Sequence, residues 1–168
     1  LGGHAIVAHS PIYPGCSGYD ADFASEMGEH DPVKARALLD VYGYVDRNGD
    51  GWREQPDGTQ LVVTMGTQPE QRSRRLDDLM KLAFDSIGVR LQFAPAKFTE
   101  NIKAARAGKL AMWTYRLTAA SPDGLANLTS WCGPAVGGNL ARFRLPAFDR
   151  IYEQLDEMPD GPERLAVM

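Results

Sequence analysis

The chain has 168 residues, a formal net charge of −4, 43% hydrophobic and 24% charged residues. That length suits one domain with a proper core, and the balance is ordinary for a globular protein. Mild acidity argues against a nucleic-acid binder, which wants a basic stripe, and no apolar run approaches the length of a membrane span.

Residues 1–30 are rich in Gly, Pro, Ser and His and have no sustained period. They read as an irregular segment packed against parts of a longer parent. Asp31 then caps a helix, with Pro32 at the first helical position, where a missing N–H costs nothing. Val33, Ala37, Leu38 and Val41 recur at helical spacing and predict one apolar, inward face. Gly43 stops the helix, and Asp46, Asn48, Gly49, Asp50 and Gly51 form a loop. A strand follows over 60–66.

Thr67 and Glu70 have capping-box spacing ahead of the longest helix, with Pro69 near its first turn. Leu76, Leu79, Met80, Ala83 and Ile87 mark its inner face and Gly88 its end. Arg72, Arg74, Arg75, Asp77, Asp78 and Lys81 make a solvated outer face, with Arg74 and Asp78 spaced as an i,i+4 pair. Val89, Leu91 and Phe93 alternate as a half-buried strand. A helix opens near Thr99, with Phe98, Ile102 and Ala105 inward, and ends at Gly108. Leu110 to Leu117 reads as a third strand.

Strands alternating with helices of this length favour parallel or mixed pairing with helices over the sheet. The fold class is therefore α/β, a mixed sheet flanked by helices, over a single domain 1–168. Residues 119–145 are loop-rich. A last full helix starts at Pro146, with Phe148, Ile151, Tyr152 and Leu155 as its buried stripe. Asp160, Pro162 and Glu163 read as the start of another helix, cut short at Met168 as in a fragment.

Metal chemistry is the first candidate function. Asp46, Asn48 and Asp50 stand at positions 1, 3 and 5 of a calcium loop, Gly51 at 6 and Asp57 at 12. Hard oxygens at alternate positions converge when glycine permits the sharp turn. Asp57, however, is shorter than the usual bidentate Glu, and Pro56 with a strand replaces the exit helix. The other reading is a polar turn held by Asx hydrogen bonds.

The second candidate is the stretch Trp113, Thr114, Tyr115, Arg116, Leu117, Thr118 and on to Asp123. Trp and Tyr offer amphipathic contact surface, Arg a planar fork for a carboxylate. A strand running into a long loop is where α/β folds build sites. Period two equally puts Trp113, Tyr115 and Leu117 on one packed face.

Catalysis has no support. His4, His9 and His30 all lie in the irregular segment, and no nucleophile elbow, P-loop or dinucleotide fingerprint is present. Glu26, Glu29 and His30 read as solvated loop residues. Cys16 and Cys132 are either two buried thiols or one disulfide of an oxidising compartment.

One resemblance runs through these segments. Asp31, Pro32, Lys34, Ala35, Leu38 and Leu39, then Asp46, Asn48, Gly49, Asp50, Gly51, Trp52, Arg53 and Glu54, then Pro56, Asp57, Gly58 and Leu61 follow in order. The order resembles the middle of the family 5 extracellular solute-binding proteins, the peptide- and nickel-binding receptors of ABC importers. Gly3, Ala5, Pro11, Ile12, Pro14 and Gly15 are similar to the passage before their helix. Asn139, Arg142, Phe143, Pro146, Phe148 and Asp149 are similar to a later one, where Asn139 and Asp149 would fix loop and helix geometry.

The resemblance implies part of the carboxy-terminal lobe of a type II periplasmic binding protein, and a solute receptor that serves a membrane permease. It also implies a periplasmic or other extracytoplasmic place; the cofactor expectation is none, with calcium at the acidic loop as the alternative. Solute contacts would come from Trp113, Thr114, Arg116, Leu117, Thr118 and Asp123. In peptide-binding relatives this strand ends in Trp, and an Asp shortly after takes the peptide's amino terminus. Leu117 and Ala120 occupy those positions here, and Ala120 cannot neutralise an ammonium group. The rival reading is a freestanding calcium-binding or protein-interaction module.

Overall fold

The computed structural model describes residues 6–114, 117–133 and 138–168. The chain folds as two compact units, Leu1–Glu29 with Arg116–Met168, and His30–Tyr115.

The second unit carries the sheet. It runs α1 (Pro32–Val41), β1 (Val62–Thr67), α2 (Gln71–Asp85), β2 (Arg90–Pro95), α3 (Phe98–Arg106) and β3 (Met112–Trp113). The strands lie in the order β2-β1-β3. Both ladders are parallel, Val62 facing Arg90 through to Thr67 facing Pro95, and Met65 facing Met112. Of parallel or mixed pairing, the crossover helices therefore select parallel, since each returns the chain to the same end of the sheet. An isolated antiparallel bridge joins Glu54 to Gln60. Met65 and Leu91 are buried apolar residues of the sheet, and Val89 is buried just ahead of β2.

Asp31 caps α1 as its sequence position predicts, its Oδ1 accepting from the N–H groups of Val33 and Lys34 at 3.0 and 2.9 Å. The predicted inner face is wrong: Val33, Leu38 and Val41 are exposed. The half-buried residues are Pro32, Ala35 and Leu39 instead. A ten-residue helix with apolar groups on most sides has a period but no preferred face until its neighbours supply one.

The predicted capping box ahead of α2 does not form. Thr67 is the last residue of β1, and its hydroxyl donates to Asp77 Oδ2 at 2.7 Å. Leu79 is exposed, and the i,i+4 ion pair on α2 is Lys81 with Asp85 at 3.1 Å. Gly88 ends the turn after α2 with φ +74°, and a Cβ there would meet the Gly51 carbonyl at 3.3 Å, so both conformation and space call for glycine.

β3 is two residues long, against the eight-residue strand expected over 110–117. β1 ends at Thr67, just before Pro69, which has no N–H to give to a ladder. The register puts Thr67, the last residue of β1, opposite Thr114, so at most one further position remains for β3. Leu117 is exposed rather than on a shared face with Trp113.

The first unit has its own core of Ile12, Leu125, Leu128 and Leu155, with Cys16, Tyr19, Phe148 and Tyr152 packed around it. It contains α4 (Leu125–Leu128), α5 (Pro146–Glu157), α6 (Pro162–Val167) and 3₁₀ turns at Glu26–Gly28 and Thr129–Trp131. The irregular amino-terminal segment thus packs against the carboxy-terminal part of this same chain, not against other polypeptide alone. Ser17 N–H donates to the Pro122 carbonyl at 2.8 Å, and Ile12 is 5% exposed. Phe148, Tyr152 and Leu155 face inward on α5 as expected, while Ile151 is exposed. Cys16 and Cys132 are free thiols. Burial, then the nearby Asp149 carboxylate, pushes the Cys132 thiol up. Among the described residues no helix is long and apolar enough to cross a membrane.

Candidate functional site

In a parallel sheet the carboxyl ends of the strands open towards the connecting loops, and ligands bind there. In the sheet-bearing unit that edge consists of Gly66 and Thr67 from β1, the turn from β2 into α3, Trp113 from β3 and Thr114 just after it. Trp113 faces Gly66 across the ladder. Phe98, the first residue of α3, lies over Trp113 with ring centroids 5.7 Å apart and planes tilted by 46°. Phe98 keeps 48% of its surface exposed, and Thr114, the residue after Trp113, is exposed.

Glu100 supports the entry to α3, its carboxylate accepting the Lys97 N–H at 3.1 Å. The edge therefore presents an aromatic pair with one open ring and a hydroxyl, the amphipathic surface suited to an apolar or ring-shaped group of a solute. The sequence singles out Trp113 and Thr114 and places Phe98 inward, whereas Phe98 is half exposed. Its position as the first residue of α3, directly after Lys97, is the available signal.

The other predicted solute residues have different surroundings. Arg116 and its neighbour Tyr115 lie outside the described residues, as does His4. Leu117 and Thr118 are exposed in the other unit. Asp123 is engaged there in a network. Arg164, 6% exposed, donates to both its carboxylate oxygens, at 3.1 and 2.9 Å. Ser17 Oγ and the Leu125 N–H add bonds at 3.3 and 3.1 Å. The Arg164 hydrogen bonds hold the Asp123 carboxyl below the usual carboxylate range, and Asp123 in turn raises the guanidinium pKa. An open depression of about 300 Å³ lies beside Asp123, Asp160 and Arg164. A second, of about 280 Å³, is lined by residues such as His9, Tyr13, Tyr19 and Phe23.

Asn139 and Asp149 hold the loop ahead of α5, as the resemblance implies. Asn139 bonds the Phe143 backbone in both directions at 2.6 and 3.0 Å, and Asp149 accepts the Gly133 N–H at 2.8 Å.

In the acidic loop, one oxygen each of Asp46, Asp50 and Glu54 lie within 4.8 Å of one another. Asp57, expected at the twelfth position, is not among them; it accepts from the Thr59 N–H and hydroxyl at 2.9 and 2.6 Å. Those bonds lower its pKa. Asn48 accepts the Asp50 N–H at 2.8 Å. Both oxygens of Asp46 accept loop N–H groups, from Gly49 and Gly51 at 2.7 and 2.9 Å. Asp50 faces the Arg90 guanidinium at 3.4 Å, and that guanidinium lies 4.9 Å from the Trp52 ring centre.

The neighbouring Arg53 is a structural hub. It is buried, pairs with Asp40 and donates to the Ile87 carbonyl at 2.7 Å, so it joins the end of α1 to the turn after α2. No cluster forms from Glu26, Glu29 and His30 among the described residues.

The sheet-bearing unit is an α/β fold with three parallel strands joined by crossover helices. The chain belongs to the bacterial extracellular solute-binding proteins, family 5 (middle region), whose model matches residues 1–139. Solved structures of the same fold include the oligopeptide-binding protein AppA of Bacillus subtilis, in complex with a nonapeptide. It has a TM-score of 0.81 and 18% identity, over 99% of this chain and 34% of that one. The periplasmic protein MelB of Agrobacterium fabrum, in complex with stachyose, has a TM-score of 0.76 and 17% identity, over 95% and 26%. NikA of Brucella suis, in complex with Fe(III)-EDTA, has a TM-score of 0.71 and 20% identity, over 88% and 30%. This chain thus spans about a third or less of those structures. No curated protein sequence matches it.

Proposed function

We propose that the chain forms part of one lobe of an extracytoplasmic receptor that captures a small solute and passes it to the permease of an ABC importer. Family membership supports the solute-binding role. The observation that carries the site is the half-exposed Phe98 ring stacked at a tilt on Trp113, next to Thr114, at the carboxyl edge of a parallel sheet. These side chains have no arrangement for bond-making chemistry, and their work is to hold a ring or apolar face. The absence of a carboxylate at Ala120 favours a solute other than a peptide gripped by its amino terminus.

Receptors of this kind close two lobes around the ligand by hinge motion. The 168-residue chain alone then binds weakly, because the opposing contacts are missing. The test purifies the full-length receptor from its native cell, identifies the co-purifying solute by mass spectrometry, and titrates it calorimetrically. Trp113→Ala is expected to weaken binding about tenfold or more, equal to roughly 1.4 kcal/mol. Unchanged affinity would remove this edge from the site.

A further inference from the structure

Gly66 stands opposite Trp113 on β1. A Cβ built on it would lie 3.2 Å from Leu110 Cδ1, 3.4 Å from Asn101 Oδ1 and 3.4 Å from Trp113 Cδ1. Three side chains therefore converge on a β1 position that has no side chain of its own. One of them is polar and 2% exposed: Asn101, on the inner stripe of α3. An apolar residue would be the ordinary occupant of such a place, because a buried amide costs free energy unless it is hydrogen-bonded.

The Asn101 amide has specific work. Its Nδ2 donates to the Thr67 carbonyl at 2.8 Å and the Ala96 carbonyl at 3.2 Å. The Thr67 carbonyl also accepts the Ala96 N–H at 3.0 Å, and the Thr67 hydroxyl reaches Asp77 on α2. One side chain on α3 thus ties the end of β1 to the turn leaving β2, while Thr67 ties the same point to α2. Phe98 stands one helical turn before Asn101, so whatever sets α3 against Ala96 also sets Phe98. Trp113 shares the space over Gly66 with the other atom of the same amide.

We infer that Asn101 is a positioning residue that holds the Phe98–Trp113 pair in its arrangement at the carboxyl edge; its consequence for solute binding rests on the reading of that edge given above. A Leu of similar size would fill the space and leave two carbonyls without this donor. α3 would then settle on apolar packing alone, and the two rings would shift together.

The test needs no solute. The chain is labelled with 5-fluorotryptophan, and its three tryptophans are assigned in ¹⁹F spectra by single Trp→Phe changes. In Asn101→Leu the Trp113 resonance is expected to move and broaden, while Trp52 and Trp131 hold. A folded Asn101→Leu protein with all three resonances unmoved, whatever its melting temperature, overturns the inference. If that variant does not fold, Asn101→Ser replaces it, removing the Nδ2 donor without adding apolar bulk. It should move Trp113 alone, and an unmoved Trp113 overturns the inference equally. Failure here leaves the solute reading intact, and failure of Trp113→Ala to weaken solute binding leaves the positioning role intact.

Discussion

Arg164 grips Asp123 with a two-pronged fork, Nη1 to Oδ1 and Nη2 to Oδ2 at 3.1 and 2.9 Å, across 41 residues of sequence. Its Nε donates to the Leu155 carbonyl at 3.0 Å, so one buried side chain joins the turn before α4, the end of α5 and the start of α6. Geometry of this kind is stronger and more specific than a surface ion pair.

Arg164→Met should therefore destabilise the unit that contains it. Removing one partner of a buried pair costs about 3–5 kcal/mol. Asp123 keeps 40% of its side chain exposed and can rehydrate, so about 2–3 kcal/mol is expected here. Urea unfolding followed through Trp131, the tryptophan of that unit, measures it. A loss under about 0.5 kcal/mol, the ordinary size for a surface change, would show that the fork contributes little.

The same pair makes a pH dependence with a definite sign. The folded-state pKa of Asp123 is depressed, so the unfolded chain binds the proton more readily. The contribution is fully present above the unfolded value, about 3.9, and is lost as pH falls through the folded value. Melting temperatures taken downward from about pH 5 should drop more steeply for the wild type than for Arg164→Met, in which the depression is relieved. Parallel curves would remove Asp123 as the titrating group.

The acidic loop gives a separate test. Asp46 accepts two loop N–H groups, so Asp46→Ala should cost about 1 kcal/mol, the usual scale for losing a cap-like carboxylate. The Arg90 guanidinium beside Asp50 competes with a cation for the same oxygens. Millimolar calcium should accordingly leave the melting temperature nearly unchanged. A clear rise that Asp46→Ala abolishes would establish a calcium site, since a ligand bound to the native state alone stabilises it by mass action.

How far the sequence reaches can be seen from particular residues. Asp31 before Pro32, the stops near Gly43, Gly88 and Gly108, and the alternation Val89, Leu91 are local signals. Each is set by backbone conformation or side-chain period, so each is legible without knowing any neighbour. The order of strands and crossover helices follows from them, and with it the α/β class. Asp57 looked like a ligand because spacing counts residues, whereas convergence depends on the path of the loop, which brings Glu54 to Asp46 and Asp50 instead.

The amino-acid order alone thus determined the elements, their succession and the family pattern, because propensities and turns act over a few residues. Only the tertiary structure decided which face of α1 is covered, that β3 ends at Trp113, that Asp123 belongs to Arg164, and that Asn101, Trp113 and Gly66 meet. Those outcomes depend on partners distant in sequence, and no local preference encodes the identity of a partner that arrives only when the chain has folded.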